Sequence, residues 1–256
     1  VLLTGASGGI GQAIARAIAA RGGKLILSGR RAEVLEPLAE QLNGRALAVD
    51  LTQAEEVDRL CEQSGDVDIL IANAALPGVG MLDSFTIEEI DRALAVNLRA
   101  PIALAHALAP KMVARGRGQL LFMSSLNAKA ATPQTAIYNA TKFGLRGFAL
   151  SLRDDLRASG VGVSLIHPGF IRDAGMFASS GAKLPPGVGT RAPEDVARAT
   201  IAAIEHDRGE VDVAPLGVRL GSIFAGVAPE TAAIISRRLG SDKIAAHIAS
   251  VNSAKR

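Results

Sequence analysis

The sequence predicts an α/β fold: a doubly wound, parallel, seven-stranded sheet with helices on both faces, built as a single domain over 1–256. Three observations carry this. Short runs rich in Val, Ile and Leu recur between longer segments of helical spacing, the pattern of strands covered on both sides by crossover helices. A glycine-rich turn joins the first such run to the first helix. No internal repeat or low-complexity linker divides the chain, so one core serves its whole length. Strands are expected at 1–4, 24–28, 46–49, 69–72, 119–124, 161–167 and 211–214. Between the first two, Ile10, Ala13, Ile14, Ala17 and Ile18 keep one apolar helical face, and Gly22-Gly23 supplies the stop. Helices around 90–114 and 138–156 are apolar on much of their circumference. The tail, 215–256, carries Leu216, Val218, Leu220, Ile223 and Phe224 before Pro229, then a helical pattern through Ile248. It reads as amphipathic helices packed on the domain, with a lid, a subunit contact or a surface anchor as alternatives.

Composition removes several functions. The net charge is +3, but basic and acidic residues alternate, and aromatics are only 3% with no Trp, so a nucleic-acid surface built on charge and stacking is not expected. One cysteine, Cys61, forms no internal disulfide and no Cys-based zinc cage, which points to a reducing, cytoplasmic compartment and no metal. No uncharged apolar run reaches the roughly 20 residues of a membrane-spanning helix. No secretory leader is expected either, and because Val1 opens directly within a strand, a few residues are expected to precede it.

The chemistry begins at Thr4-Gly5-Ala6-Ser7-Gly8-Gly9-Ile10-Gly11, which reads T-G-x-x-x-G-x-G. Glycines here allow a tight turn after a strand and let a pyrophosphate approach amides at a helix start, where the dipole favours negative charge. A nucleotide diphosphate is the natural ligand, with a turn kept for packing as the alternative. Downstream, Tyr138 and Lys142 stand four apart on one helical face. A cation about 4 Å from a phenol at an effective dielectric near 20 is worth about 4 kcal/mol, roughly three pKa units, which would bring the phenol near neutrality. Such a group exchanges a proton with a carbonyl oxygen as hydride reaches the carbon. Alone the pair is a weak signal, because Tyr and Lys often share exposed helical faces. Ser124-Ser125 ends the fifth strand, thirteen residues before Tyr138, and Asn97 sits in an apolar helical segment.

In this order, the glycine turn, Asn97, Ser125 and the Tyr138/Lys142 pair resemble the short-chain dehydrogenase/reductase family, from Val1 to about Asp173. The resemblance implies a Rossmann-like fold and a catalytic set in which Tyr138 is the general acid/base and Ser125 holds the substrate carbonyl. Lys142 would bind the nicotinamide ribose and lower the Tyr138 pKa, and Asn97 would position a water that relays protons from Lys142. Ser124 would face the other way, because side chains alternate along a strand. The cofactor site so implied comprises Gly5, Ser7, Gly8, Gly9, Ile10, Gly11, Arg30, Arg31, Asp50, Leu51, Asn73, Ala74, Ala75, Tyr138, Lys142, Pro168, Gly169, Ile171 and Asp173. Gly29 stands where an acid would mark NAD, and Arg30 suits a 2′-phosphate, so NADP(H) is favoured over NAD(H). Against this, Gly8 replaces a basic residue common in NADP-using members.

Two departures stand out. Ala72-Asn73-Ala74-Ala75 replaces the common Asn-Asn-Ala-Gly, and Asp173 takes the place of a threonine that contacts the nicotinamide amide. His167, without a partner visible in the sequence, reads as a buried structural histidine. The loop 170–193 falls in the family's variable substrate region; with Met176, Phe177, Leu184 and Val188 it suggests an apolar carbonyl or secondary alcohol. A cofactor-binding regulatory protein with little turnover is the alternative from another class, and a nucleotide-sugar epimerase or dehydratase a third. Pairing of the two long helices between subunits implies a homodimer or homotetramer.

Overall fold

The computed structural model describes residues 1–185, 188–238 and 241–252. Positions 186–187 of the expected substrate loop, and 239–240 and 253–256 of the tail, lie outside the described residues. Among the described residues there are seven strands: β1 (Leu2–Thr4), β2 (Ile26–Gly29), β3 (Arg45–Ala48), β4 (Ile69–Ala72), β5 (Gly118–Met123), β6 (Val161–Pro168) and β7 (Glu210–Val213). Each falls within about two residues of its expected bounds. They form one parallel sheet in the order β3-β2-β1-β4-β5-β6-β7.

The apolar strands make sense once both faces of the sheet are seen to be covered. Leu2, Leu70 and Leu120 point into one core with Leu60, Leu104, Leu108 and Phe122. Their chain neighbours Leu3, Ile71 and Leu121 point into the other with Ile14, Leu35, Val196 and Ile201. The first core lies under α3 (Ala54–Ser64), α5 (Ala100–Arg115) and α6 (Ala136–Asp155); the second under α1 (Gly9–Ala19), α2 (Ala32–Gln41) and α8 (Pro193–Glu205). Side-chain alternation with period two therefore gives continuous apolar runs and not an apolar/polar alternation.

Helix α4 (Ile87–Leu94) opens with a capping box, Thr86 accepting from Glu89 N and Glu89 from Thr86 N. It continues through a π-helical turn, Ala95–Arg99, into α5, which ends at Gly116 in the left-handed conformation. The resulting helix, Ile87–Ala114, is long and apolar enough by length and composition to cross a membrane. It is interrupted by charged residues such as Arg99 and Lys111, so it is not the uncharged run of about 20 residues considered above, and its Leu104, Leu108 and Met112 are buried on the sheet as in a core helix.

Strand order reverses between β1 and β4, and at such a switch point a crevice opens beyond the carboxyl ends of the strands. After these ends come Gly5, Asn73, Ser125 and Gly169. Beyond β6, α7 (Gly175–Ser180) sits inside the expected substrate loop, whose base is closed where Arg172 N donates to Arg191 O and Arg191 N to Phe170 O. The tail forms α9 (Leu216–Val227), α10 (Pro229–Arg238) and α11 (Ser241–Asn252). It folds back over the crevice: Asn252 Nδ2 donates to Met176 O at 3.3 Å, and His247 Nε2 lies 3.0 Å from Ser180 O.

Candidate active site

The crevice is a cleft of about 1270 Å³. Its first wall is the glycine turn. Gly5 has φ +64°, and a Cβ there would lie 2.7 Å from Ala74 Cα, so only glycine permits the turn and its contact with the segment after β4. Asn73 locks that contact: its Nδ2 donates to Thr4 O and Gly5 O at 3.0 and 3.2 Å, and its main-chain N donates to Thr4 Oγ1. Helix α1 has Gly8 as its N-cap and no side-chain cap, which leaves first-turn amides for an anion at its dipole's positive end. Arg31 Nη2 donates to Ser7 O at 2.7 Å and pins the turn. Arg30, exposed at the cleft edge, makes no hydrogen bond or ion pair among the described residues. A Cβ at Gly29 would approach Ser7 Oγ to 3.1 Å, so a side chain there would crowd the turn. Asp50 Oδ1 accepts from Thr52 N at 3.0 Å and faces the cleft beside buried Leu51.

Ser125, Tyr138 and Lys142 meet on the second wall. Ser125 follows β5 in extended conformation, and its Oγ accepts from Asn127 N at 3.2 Å. The start of α6 is tied down where Tyr138 N donates to Gly78 O at 3.1 Å. Tyr138 and Lys142 are both almost fully buried. Lys142 Nζ donates to Met123 O at 2.9 Å and lies 5.7 Å from the centre of the Tyr138 ring. Burial pushes the Tyr138 phenol up to about 12, with the hydrogen bond to Ser125 pulling the other way, and lowers Lys142 to about 8.

The short chain dehydrogenase family model matches residues 1–185. The chain belongs to the short-chain dehydrogenase/reductase family. Among its relatives, a ketoacyl reductase of Nostoc sp., HetN, is 31% identical over 222 residues, covering 83% of this chain and 77% of that protein. A short-chain dehydrogenase from Sphingobium yanoikuyae, solved in complex with NADPH, superposes with a TM-score of 0.78 at 27% identity, covering 90% of this chain and 94% of that one. A metagenomic short-chain oxidoreductase in complex with NADP gives 0.71 at 32% identity, covering 84% and 96%.

In this short-chain dehydrogenase/reductase the cleft gathers every residue expected at the site except Asn97 and Asp173. Asn97 lies in the π-helical turn with its amide committed elsewhere: Oδ1 accepts from Leu76 N at 2.7 Å, and Nδ2 donates to Leu76 O at 2.9 Å and Thr141 Oγ1 at 3.5 Å. Through these bonds it holds the Leu76 stretch against α6. Asp173 has φ +66°, and its exposed carboxylate pairs with Arg172 at 3.5 Å. It is not among the residues that line the cleft, although its main-chain oxygen lies close to Gly9 of the glycine turn. The expected acidic phenol is corrected too. Four-residue spacing does bring the ammonium near, but desolvation of both groups dominates; one Nζ proton goes to Met123 O, which leaves two donors for other partners. Sequence reasoning left open what the tail does, with a lid only as an alternative; in the structure α9–α11 form the far wall, contributing Phe224, Ile235, Ile244 and Ile248. The apolar spacing of the tail was visible, but not the site it covers.

Proposed function

We propose that this protein is an NADP(H)-dependent oxidoreductase acting between an apolar ketone and its secondary alcohol, with Tyr138 as general acid/base. The observation that carries the reading is the convergence of Ser125, Tyr138 and Lys142 between the glycine turn and an uncharged wall. The uncapped start of α1 and the close Gly5–Ala74 approach fit a dinucleotide pyrophosphate, and the NADPH- and NADP-bound neighbours support that cofactor. Bound there, the nicotinamide supplies or accepts the hydride. Gly8, Gly9, Ile10 and Gly11 would hold the pyrophosphate, Asp50 the adenine amino group, and Lys142 the ribose hydroxyls. The Ser125 hydroxyl donates to the substrate carbonyl oxygen and orients it; Tyr138 Oη delivers the proton to that oxygen in reduction and removes it in oxidation.

The substrate class follows from where charge lies. Among the described residues, the charged residues lining the cleft are Arg30, Arg31, Asp50 and Lys142, all on the cofactor side. The opposite wall carries Met176, Phe177 and the apolar side chains of the tail. A bulky, uncharged carbonyl compound suits it. The test is consumption of NADPH, followed by nicotinamide absorbance, across ketones of increasing apolar bulk. Catalytic efficiency is expected to rise with bulk, and preference for a charged carbonyl compound would overturn the assignment. Binding of NADPH without turnover of any carbonyl would favour the regulatory reading, to which the exposed Asp173 lends support.

Arg30, exposed at the cleft edge, is assigned here to the 2′-phosphate, and a charge-assisted hydrogen bond contributes about 1.5–3 kcal/mol. Arg30→Asp is therefore expected to raise the KM for NADPH roughly ten- to hundredfold and to lower that for NADH. An unchanged ratio of the two would remove Arg30 from cofactor selection. Exposed Val113 on α5 and Phe143 on α6 support pairing of copies into a homodimer or homotetramer.

A further inference from the structure

A chain of charged groups, leading from the partly exposed Arg146 and Glu210 to the buried His167, stands behind Ser125. His167, on β6, is fully buried. Its Nδ1 lies 3.0 Å from the main-chain oxygen of Ser125, and its Nε2 lies 2.8 Å from Glu210 Oε1 on β7. Glu210 is gripped by Arg146, Nε donating to Oε1 at 2.6 Å and Nη2 to Oε2 at 3.1 Å. Arg146 follows Tyr138 by eight residues and Lys142 by four, so all three share one face of α6. Lys129, after β5, stands 3.9 Å from Glu210 Oε1 and 2.7 Å from Asp212 Oδ1. The helix that carries the phenol and the ammonium is thus tied, through β7 and β6, to the strand end that carries the serine.

Both atoms facing the imidazole can only accept. A peptide oxygen has no proton to give. Hydrogen bonds from His167 and Arg146 hold the Glu210 carboxyl far below its usual range, so it is a carboxylate. A neutral imidazole has one N–H and would leave one of these short contacts acceptor against acceptor, in a ring that solvent does not reach. We infer that His167 carries both ring protons and is a positioning residue for the reaction: as an imidazolium it anchors the Ser125 carbonyl and so fixes the backbone from which Oγ meets the substrate. This rests on the assignment of Ser125 to carbonyl binding. No bond to substrate is asked of His167 itself.

Imidazole nitrogen NMR of protein labelled at histidine, taken at neutral pH on the wild type and on Glu210→Gln, tests the inference without turnover. The His167 ring is expected to show two N–H protons in the wild type and one in the variant. With that change, kcat should fall about ten- to hundredfold, the cost of a small displacement at a reacting centre, with the KM for NADPH unchanged. A singly protonated ring in the wild type overturns the proposal, and this spectrum decides even where the variant fails to fold. A variant ring that loses its proton while kcat stays constant overturns the positioning role. A wild type with both protons present but no carbonyl turnover refutes the hydride-transfer reading and not the imidazolium.

Discussion

Tyr138→Phe is expected to lower carbonyl reduction by about 10²–10⁴-fold, the range for loss of a positioned proton donor, with NADPH binding retained. The phenol is 7% exposed, and Phe fills the same space, so the change removes the proton and little else. The same burial sets the pH response. A phenol held near 12 stays protonated through the physiological range, which is the form that donates in reduction. Reduction should therefore be insensitive to the ionisation of this group from pH 6 to 9. Oxidation needs the phenolate, whose fraction grows about tenfold per pH unit below the pKa, so alcohol oxidation should climb steadily with pH. Initial rates in both directions, wild type against variant, check this. A Phe variant retaining more than about a tenth of wild-type reduction would leave Tyr138 with no part in proton transfer.

The contrast between the acidic phenol expected from spacing and the one found shows where sequence stops being informative. Helical periodicity places Tyr138 and Lys142 on one face, because that depends on local geometry alone. Whether that face is wet or dry depends on what packs over it, and here both groups are almost wholly buried. Strands were legible for the opposite reason: with both faces of the sheet covered, residues such as Leu70-Ile71 and Leu120-Leu121 are apolar at every position. The glycine turn was legible because backbone approach leaves a compositional mark at Gly5. Asn97 and Asp173 were harder. Nothing in Ala95-Val96-Asn97 announces a π-helical turn, and nothing before Gly175 announces a left-handed Asp173. His167 lacked a visible partner because Glu210 reaches it only through the β6–β7 register, Leu165 opposite Glu210 and His167 opposite Asp212, which is a tertiary fact. The tail's role at the cleft is tertiary in the same sense.

Lys142→Met is expected to abolish most turnover, about 10²–10³-fold for loss of a preorganised cation at the reacting centre, while relieving a cost to the fold. Lys142 is 2% exposed, and burial lowers its pKa from 10.5 to about 8. At about 1.4 kcal/mol per unit, confining the ammonium costs roughly 3 kcal/mol. The sign follows from proton counting. Below about pH 8 the lysine is charged in both folded and unfolded chains, and the whole penalty is present. From about 8 to 10.5 the unfolded chain binds the proton more tightly, so wild-type stability gains with pH from this residue. Tyr138 acts oppositely above pH 10, because the unfolded phenol ionises first. That part is common to wild type and Lys142→Met and drops out of their difference. The lost bond to Met123 O shifts the difference by an amount that does not depend on pH. Urea unfolding should therefore show the stability of the variant relative to wild type falling by about 3 kcal/mol between pH 7 and pH 10.5. A difference independent of pH would mean that Lys142 titrates as if in water.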